Sequence, residues 1–267
     1  MEIHQLAERL ERESGGRLAF VLHDLLTDER VRYRADEQVP TASVIKLPIL
    51  VHIALAAGAG QLDWSAQLAL TDAVKVPGTG ILKELSAGLT LSVRDLCVLM
   101  TALSDNTATN MLIDHVGIEA VNARMRSLGL ANTRLLRRAF TPDTPASRPF
   151  GLGVTTADEM ADLLARIARR ELGDSAAADT TLAMLAMQQD RAAIPRLLPV
   201  GWEYAGKTGS GTQMRADAGI LTGPGGRRVV LAAFCTDLPR VDWSVENAGL
   251  LAIARLAREL IAPRVGV

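Results

Sequence analysis

Ser43 and Lys46 stand three positions apart, where the sequence predicts the start of a helix. Residues at this spacing share a helix face, so the serine hydroxyl and the lysine amine can meet. A serine needs a base to become a nucleophile, and a neutral lysine can serve. Because an ordinary lysine has a pKa of about 10.4, this role requires burial and a neighbouring cation to lower the pKa of Lys46 toward neutrality.

Two further motifs carry similar groups. Ser104-Asp105-Asn106 falls between two predicted helices, and Lys207-Thr208-Gly209 lies on a late predicted strand. Taken alone, each motif also has an ordinary structural interpretation. The first supplies helix-capping residues, the second a cation on a strand edge, and Ser43 to Lys46 a helix start with a lysine reaching toward solvent.

Lysine is scarce in this chain, which makes each lysine informative. Only four of the 29 basic residues are lysines: Lys46, Lys75, Lys83 and Lys207. Arginine cannot give up its proton, so lysines retained in the motifs favour a role in titration. Lys75 and Lys83 are interpreted as surface residues.

The elements that must position these motifs follow from periodicity and turn signals. Helices are predicted over residues 2–13, 43–58, 106–116, 118–128, 156–170, 176–189 and 242–261, with another beginning at Ser92. Strands are predicted over 17–24, 30–34, 202–209, 216–222 and 227–236. Residues 130–153 contain three prolines and fit no period, which is typical of a functional loop.

This order of elements predicts an α+β fold. Strands lie at both chain ends and helices in the middle, so we expect an antiparallel sheet built from both ends and flanked by helices, with an inserted all-helical subdomain. The α/β subdomain would comprise residues 1–40 and 188–267, and the helical subdomain residues 41–187. A cleft between the two is the expected place for a site.

Composition restricts the partners. The 267 residues carry a net charge of −1 and are 48% hydrophobic, which suits one domain and argues against nucleic acid or an anionic membrane as a partner. The longest apolar run, 47–60, is too short to span a bilayer. Residues 1–14 lack the apolar core of a secretory signal, so we expect a cytoplasmic monomer if the chain is complete, and a periplasmic or secreted one if a signal was removed.

The remaining reactive residue types predict no metal or cofactor. Cys97 and Cys235 lie far apart in different predicted elements, which favours two free buried thiols. The four histidines are scattered without metal-ligand spacing.

Together, the three motifs resemble the S-x-x-K, S-D-N and K-T-G signature of class A β-lactamases and penicillin-binding proteins, in the same order and on the same types of element. The resemblance extends through nearly the whole chain. It implies the fold of that family and a serine hydrolase that opens β-lactam amides, or related amides and esters, through an acyl-enzyme. It implies no cofactor.

The resemblance also implies catalytic roles. Ser43 would be acylated, with Lys46 as its base or proton relay. Ser104 would pass the proton to the leaving nitrogen. Lys207 would lower the pKa of Lys46 and attract a substrate carboxylate.

Substrate-binding roles are carried over in the same way. Asn106 would donate to the substrate amide, and Thr208, beside Gly209, would bind the carboxylate. The backbone N–H groups of Ser43 and Ser210 would form the oxyanion hole. Arg215 is a candidate second partner for the carboxylate, with an ordinary surface arginine as an equal alternative.

One family motif is missing. Class A β-lactamases carry a Glu-x-x-Leu-Asn motif whose glutamate activates the water that frees the acyl-enzyme. Here Ala139, or Phe140 with a one-residue slip, takes that place, and Asp143 is the only carboxylate within 130–153. General-base help is worth roughly 10²–10⁴ in rate, so acylation could proceed while hydrolysis lags.

Three outcomes of this loss stay open. Asp143 could act as the base, Lys46 or another group could activate water in a modest β-lactamase or esterase, or the protein could stay acylated as a penicillin-binding type does. A D,D-peptidase or carboxylesterase using the same serine is the enzymatic alternative to a β-lactamase. A sensor that binds β-lactams covalently without turnover is the alternative from another class.

Overall fold

A computed structural model describes residues 3–264 of the chain. Eight α-helices are present in this part: α1 (Ile3–Ser14), α2 (Lys46–Gly58), α3 (Val93–Ala102), α4 (Asn106–Val116), α5 (Ile118–Ser127), α6 (Ala157–Arg169), α7 (Ser175–Ala186) and α8 (Ala248–Ile261). The strands are β1 (Arg17–Asp24), β2 (Arg30–Tyr33), β3 (Val39–Pro40), β4 (Gln67–Ala69), β5 (Thr90–Ser92), β6 (Arg134–Leu135), β7 (Gly153–Thr155), β8 (Glu203–Gly211), β9 (Met214–Thr222) and β10 (Arg228–Thr236).

The main sheet joins the two ends of the chain. Its five strands run in the order β2-β1-β10-β9-β8, and every neighbouring pair is antiparallel. The first strand pairs with the last along its whole length, with Arg17 opposite Thr236 and Asp24 opposite Val229. The predicted α+β class and the sheet built from both ends are therefore confirmed.

Each face of this sheet packs against helices. Successive side chains of a strand point to opposite faces, so a strand covered on both sides reads as a continuous apolar run. In β10, Leu231 and Ala233 belong to the core formed with α1 and α8, whereas Ala232 and Phe234 belong to the core shared with the central helices. The apolar content of 227–236 is explained by this double burial.

Helix α6 fastens the helical region to the sheet. Arg30 of β2 forms an ion pair with Asp162 at 2.8 Å, and Arg228 of β10 donates to the carbonyl of Ala168 at 2.6 Å. Because α6 lies within residues 41–187 yet packs on the sheet, the division into two subdomains at the predicted boundaries stays a proposal.

Helix starts follow the capping signals in the sequence. Ser92 Oγ accepts from the N–H of Asp95, and Thr156 Oγ1 accepts from that of Glu159, as the capping boxes predict. The C-terminal helix starts at Ala248 and not at 242, so that predicted start was wrong. Asn247 Oδ1 accepts from the N–H of Gly249 at 2.9 Å and thereby fixes the later start.

Two other expectations are settled by the fold. Cys97 and Cys235 are free and buried, as predicted. Within residues 3–264, none of the helices combines the length and apolar character that crossing a bilayer requires.

Candidate active site

Ser43 lies on a short 3-10 turn, Ala42–Ile45, that leads into α2. Ala42 before it has a φ of 41°, a conformation that non-glycine residues rarely adopt and that often marks functional positions. The backbone N–H of Lys46 donates to the carbonyl of Ser43, so the two candidate residues are one turn apart at the start of the helix.

Strand β8 runs along this turn at very short distance. A Cβ atom on Gly209 would lie 2.6 Å from the carbonyl oxygen of Thr41 and 3.2 Å from the amide nitrogen of Val44. Only glycine permits this approach, which brings the edge strand of the sheet beside Ser43. The K-T-G and S-x-x-K motifs thus meet at one place.

Lys46 is buried, with 1% of its surface exposed, and its amine faces three oxygen atoms. Nζ donates to the carbonyl of Ser104 at 2.7 Å, to Ser104 Oγ at 3.1 Å and to Asn106 Oδ1 at 2.8 Å. The S-D-N motif is therefore in direct contact with the lysine of the S-x-x-K motif.

The environment of Lys46 favours loss of its proton. Burial lowers the pKa of Lys46 well below its ordinary value, and the positive charge of Lys207 lowers it further, while Asp105 acts in the opposite direction. The three oxygen acceptors stabilise the ammonium form, so the burial effect must outweigh them. A lysine in these surroundings gives up its proton more readily than an ordinary lysine.

The S-D-N motif forms the junction between α3 and α4. Ser104 has a φ of 54°, which turns the chain sharply. Asp105 caps α4 through the N–H of Ala108 at 2.9 Å and also accepts from the N–H groups of Ile81 and Leu82 at 2.7 and 2.9 Å. The aspartate therefore holds the 77–82 loop against α4, which fixes the neighbouring serine and asparagine.

Lys207 is fully buried and lies on the face of β8 that packs against the central helices, the same face as Ala205. Its Nζ donates to the carbonyl of Thr208 at 3.0 Å. Burial lowers the pKa of Lys207 to about 8, while Asp217 and Asp190 act to raise it. The charge on this lysine is thus sensitive to mildly alkaline pH.

Sequence reasoning missed the group that supports this charge. Asp217 lies opposite Thr208 on β9, accepts a hydrogen bond from the hydroxyl of Tyr204 and accepts from the N–H of Ile194 at 2.9 Å. Burial raises the pKa of Asp217 to about 7. An aspartate inside an apolar strand is unusual, and this feature of the sequence could have identified Asp217 as a candidate site residue.

The remaining binding candidates differ in accessibility. Thr208 is nearly buried and Ser210 is exposed, both on the edge strand β8. Arg215 is only 1% exposed, so the surface-arginine alternative was wrong. Its guanidinium donates to the carbonyls of Gly211, Met214 and Asp242 and lies 5.0 Å from the ring centre of Trp243. Its role toward a carboxylate stays a prediction.

The loop in which the family glutamate is absent is anchored on α4. Ala139 forms two hydrogen bonds with the side chain of Asn110, one helical turn beyond Asn106. Asp143, the remaining carboxylate of this loop, pairs with Arg137 at 3.1 Å and keeps half of its side-chain surface exposed. Because its carboxylate is engaged by Arg137, the geometry disfavours Asp143 in that role.

A serine that follows a strained alanine, a buried lysine of lowered pKa, a second serine in contact with that lysine and a second buried lysine form the kind of arrangement that activates a serine nucleophile. Comparisons agree. Residues 2–262 match the model of the β-lactamase enzyme family. A β-lactamase of Streptomyces fradiae is 34% identical over 94% of this chain and 83% of its own length.

Solved structures extend the likeness to the fold. A β-lactamase from Sphaerobacter thermophilus has a TM-score of 0.88 and 31% identity, covering 98% of both chains. An ancestral class A β-lactamase has a TM-score of 0.86 and 26% identity, covering 97% of this chain and all of its own. The chain therefore belongs to the class A β-lactamase family.

Proposed function

We propose that the protein opens β-lactams by acylation of Ser43 and that the resulting ester hydrolyses slowly. In the first step Ser43 Oγ bonds to the carbonyl carbon of the ring, and the carbon–nitrogen bond of the ring breaks. The hydroxyl proton leaves Ser43, and the released nitrogen must gain one. The observation that carries the proposal is the contact between Lys46 Nζ and Ser104 Oγ at 3.1 Å.

This contact offers a path for the proton. Neutral Lys46 accepts the proton of Ser43, since its pKa is lowered by burial and by Lys207. Lys46 then donates to Ser104 Oγ, and Ser104 donates its own proton to the ring nitrogen. Lys46 and Ser104 have then returned to their starting protonation states. The proton that Ser43 loses is balanced by the proton that the ring nitrogen gains.

Substrate binding would use groups along the edge of the sheet. Lys207 and Thr208 would attract the carboxylate of the substrate, with Arg215 contributing only if the segment around Asp242 and Trp243 moves aside. The backbone N–H groups of Ser43 and Ser210 would receive the carbonyl oxygen. A donor pair of this kind stabilises the charge that develops during attack.

Slow hydrolysis is supported by what occupies the loop. Alanine at 139 cannot accept a proton from water, and Asp143 is engaged by Arg137. Activation of water by Lys46 would give a slow β-lactamase. Lasting acylation would make the protein a penicillin-binding type or a sensor, and a D,D-peptidase or carboxylesterase would use the same serine on an open-chain amide or ester.

Intact-mass measurement after mixing with benzylpenicillin tests the proposal. We expect one covalent equivalent, mapped to the peptide containing Ser43, that forms within seconds and decays over minutes or longer. Ser43→Ala should form no adduct, while Ser14→Ala, a serine outside the site, should behave as the wild type. An adduct on another residue, or none with the wild type, would overturn the proposal.

Two expectations about the whole molecule stay predictions. We infer that the protein acts as a monomer without nucleic acid, which light scattering at working concentration would test. Its compartment, cytoplasmic or, if a signal peptide was removed, periplasmic or secreted, is tested by fractionation of the producing cells and their medium.

A further inference from the structure

Phe140 combines an unfavourable backbone with an exposed aromatic ring. Its φ of 60° is disfavoured for any residue with a side chain, and bulky residues adopt it least. The side chain is 57% exposed, so it contributes little to the core. A residue whose backbone is strained and whose side chain is exposed does not stabilise the fold, which indicates a functional role.

The backbone around Phe140 is nevertheless firmly held. Ala139 is bonded at both its N–H and its carbonyl to Asn110. Thr141 Oγ1 donates to the carbonyl of Arg138 at 2.9 Å, and the carbonyl of Thr141 accepts from Arg137 at 2.8 Å. The ring is therefore presented from a fixed support, as a binding wall requires.

The Phe140 ring and the side chain of Asn106 both lie against Gly78. A Cβ atom on Gly78 would lie 2.5 Å from Asn106 Nδ2, and 2.7 Å from Phe140 Cζ. The amide nitrogen and the ring edge thus flank the same exposed glycine. Asn106 Oδ1 is used by Lys46, whereas Nδ2 makes only long contacts of 3.3 Å to the carbonyl of Pro77 and to Thr79 Oγ1.

We propose that Phe140 is a specificity-determining residue whose ring contacts the side-chain substituent of the β-lactam, favouring substrates with an aromatic acyl group. The inference rests on the proposed function and on the role that the family resemblance implies for Asn106. With Asn106 Nδ2 donating to the side-chain amide of the substrate, the group attached to that amide lies beside the Phe140 ring. Two aromatic rings then pack in water-excluding contact.

Acylation rates of two penicillins that share the amide test this proposal. Benzylpenicillin carries a phenylacetyl group, and 6-acetamidopenicillanate carries only acetyl. The wild type should acylate faster with the first. Phe140→Gly should lower the ratio of the two second-order rate constants about 3- to 10-fold, the range of an aromatic pair. Phe140→Tyr should retain the ratio.

Controls separate binding from stability and from the proposed function. Arg170→Gly relieves the same kind of backbone, at φ 58°, at the C-terminal end of α6 and should leave the ratio unchanged. If Phe140→Gly folds poorly, Phe140→Asn, which tolerates this conformation, replaces it with the same expected loss. An unchanged ratio in the folded variant overturns the inference alone. Absence of any adduct on wild-type Ser43 overturns the proposed function, and this inference with it.

Discussion

The side chain of Asn110 forms hydrogen bonds with both the N–H and the carbonyl of Ala139. The N–H of Ala139 donates to Asn110 Oδ1 at 2.8 Å, and Asn110 Nδ2 donates to the carbonyl of Ala139 at 3.0 Å. Asn110 belongs to the same helix as Asn106, so position 139 is tied to the element that carries part of the active site. The resemblance places the family glutamate at Ala139, or at Phe140 with a one-residue slip, and neither side chain can activate water.

Ala139→Glu should therefore speed hydrolysis of the acyl-enzyme. The clamp by Asn110 uses only backbone atoms of residue 139 and can persist in the variant. A carboxylate placed there can act as general base, which is worth roughly 10²–10⁴ in rate. The lifetime of the mass adduct measures this directly. Ala139→Gln, of equal size but without basicity, is the matched control, and equal acceleration by glutamine would contradict the explanation.

Lys46→Arg should abolish rapid acylation. Arginine retains a positive charge and its proton at all working pH values, so it cannot accept the proton of Ser43. We expect the acylation rate constant to fall by a factor of about 10²–10⁴. Stopped-flow or quenched mass measurement gives this rate constant. Lys75→Arg, at a half-buried lysine outside the motifs that pairs with Asp72 at 2.7 Å, should change nothing. Rapid acylation by the arginine variant would exclude Lys46 as the base.

Acylation should lose efficiency above about pH 8, where Lys207 gives up its charge. Asp217 acts to raise the pKa of Lys207, so removing its negative charge lowers that pKa further. Asp217→Asn should therefore move the alkaline limb of the pH profile to lower pH. Asp190→Asn, whose influence on Lys207 is smaller, should move it less. A limb that stays in place in Asp217→Asn would show that the Lys207 charge does not govern the profile.

Asp105→Ala should reduce stability by about 2–4 kcal/mol, measured by urea unfolding. The variant loses the cap of α4 and leaves the N–H groups of Ile81 and Leu82 without their acceptor in a largely buried place. Asp95→Ala, at the exposed start of α3, should cost about 1 kcal/mol or less. Similar losses in the two variants would mean that Asp105 acts as an ordinary cap and does not anchor the loop.

Elements with strong local signals could be predicted from the sequence. Strand β1 spans Arg17–Asp24 as predicted, and the capped starts of α3 and α6 were also correct. The short strands β3, β6 and β7 were not predicted, since their two or three residues pair only through distant contacts such as Val39 with Thr155. Local periodicity carries no information about such pairings.

The same distinction between local signals and distant contacts holds for the candidate site. The motifs predicted Ser43, Lys46, Ser104 and Lys207 as site residues because their types and order are specific, and the structure brings Lys46 into contact with Ser104. Contacts that depend on register could not be predicted. The position of Asp217 opposite Thr208 requires knowing how β8 pairs with β9, and the burial of Arg215 requires the path of the segment before α8.

The pre-steady-state course of a chromogenic cephalosporin tests the central claim most directly. Slow hydrolysis after rapid acylation of Ser43 predicts a burst of one equivalent of opened ring per protein, followed by a much slower linear phase. Both phases should vanish in Ser43→Ala. Linear turnover from the first instant, at a rate lost with Ser43, would contradict the account by showing that hydrolysis of the ester keeps pace with its formation.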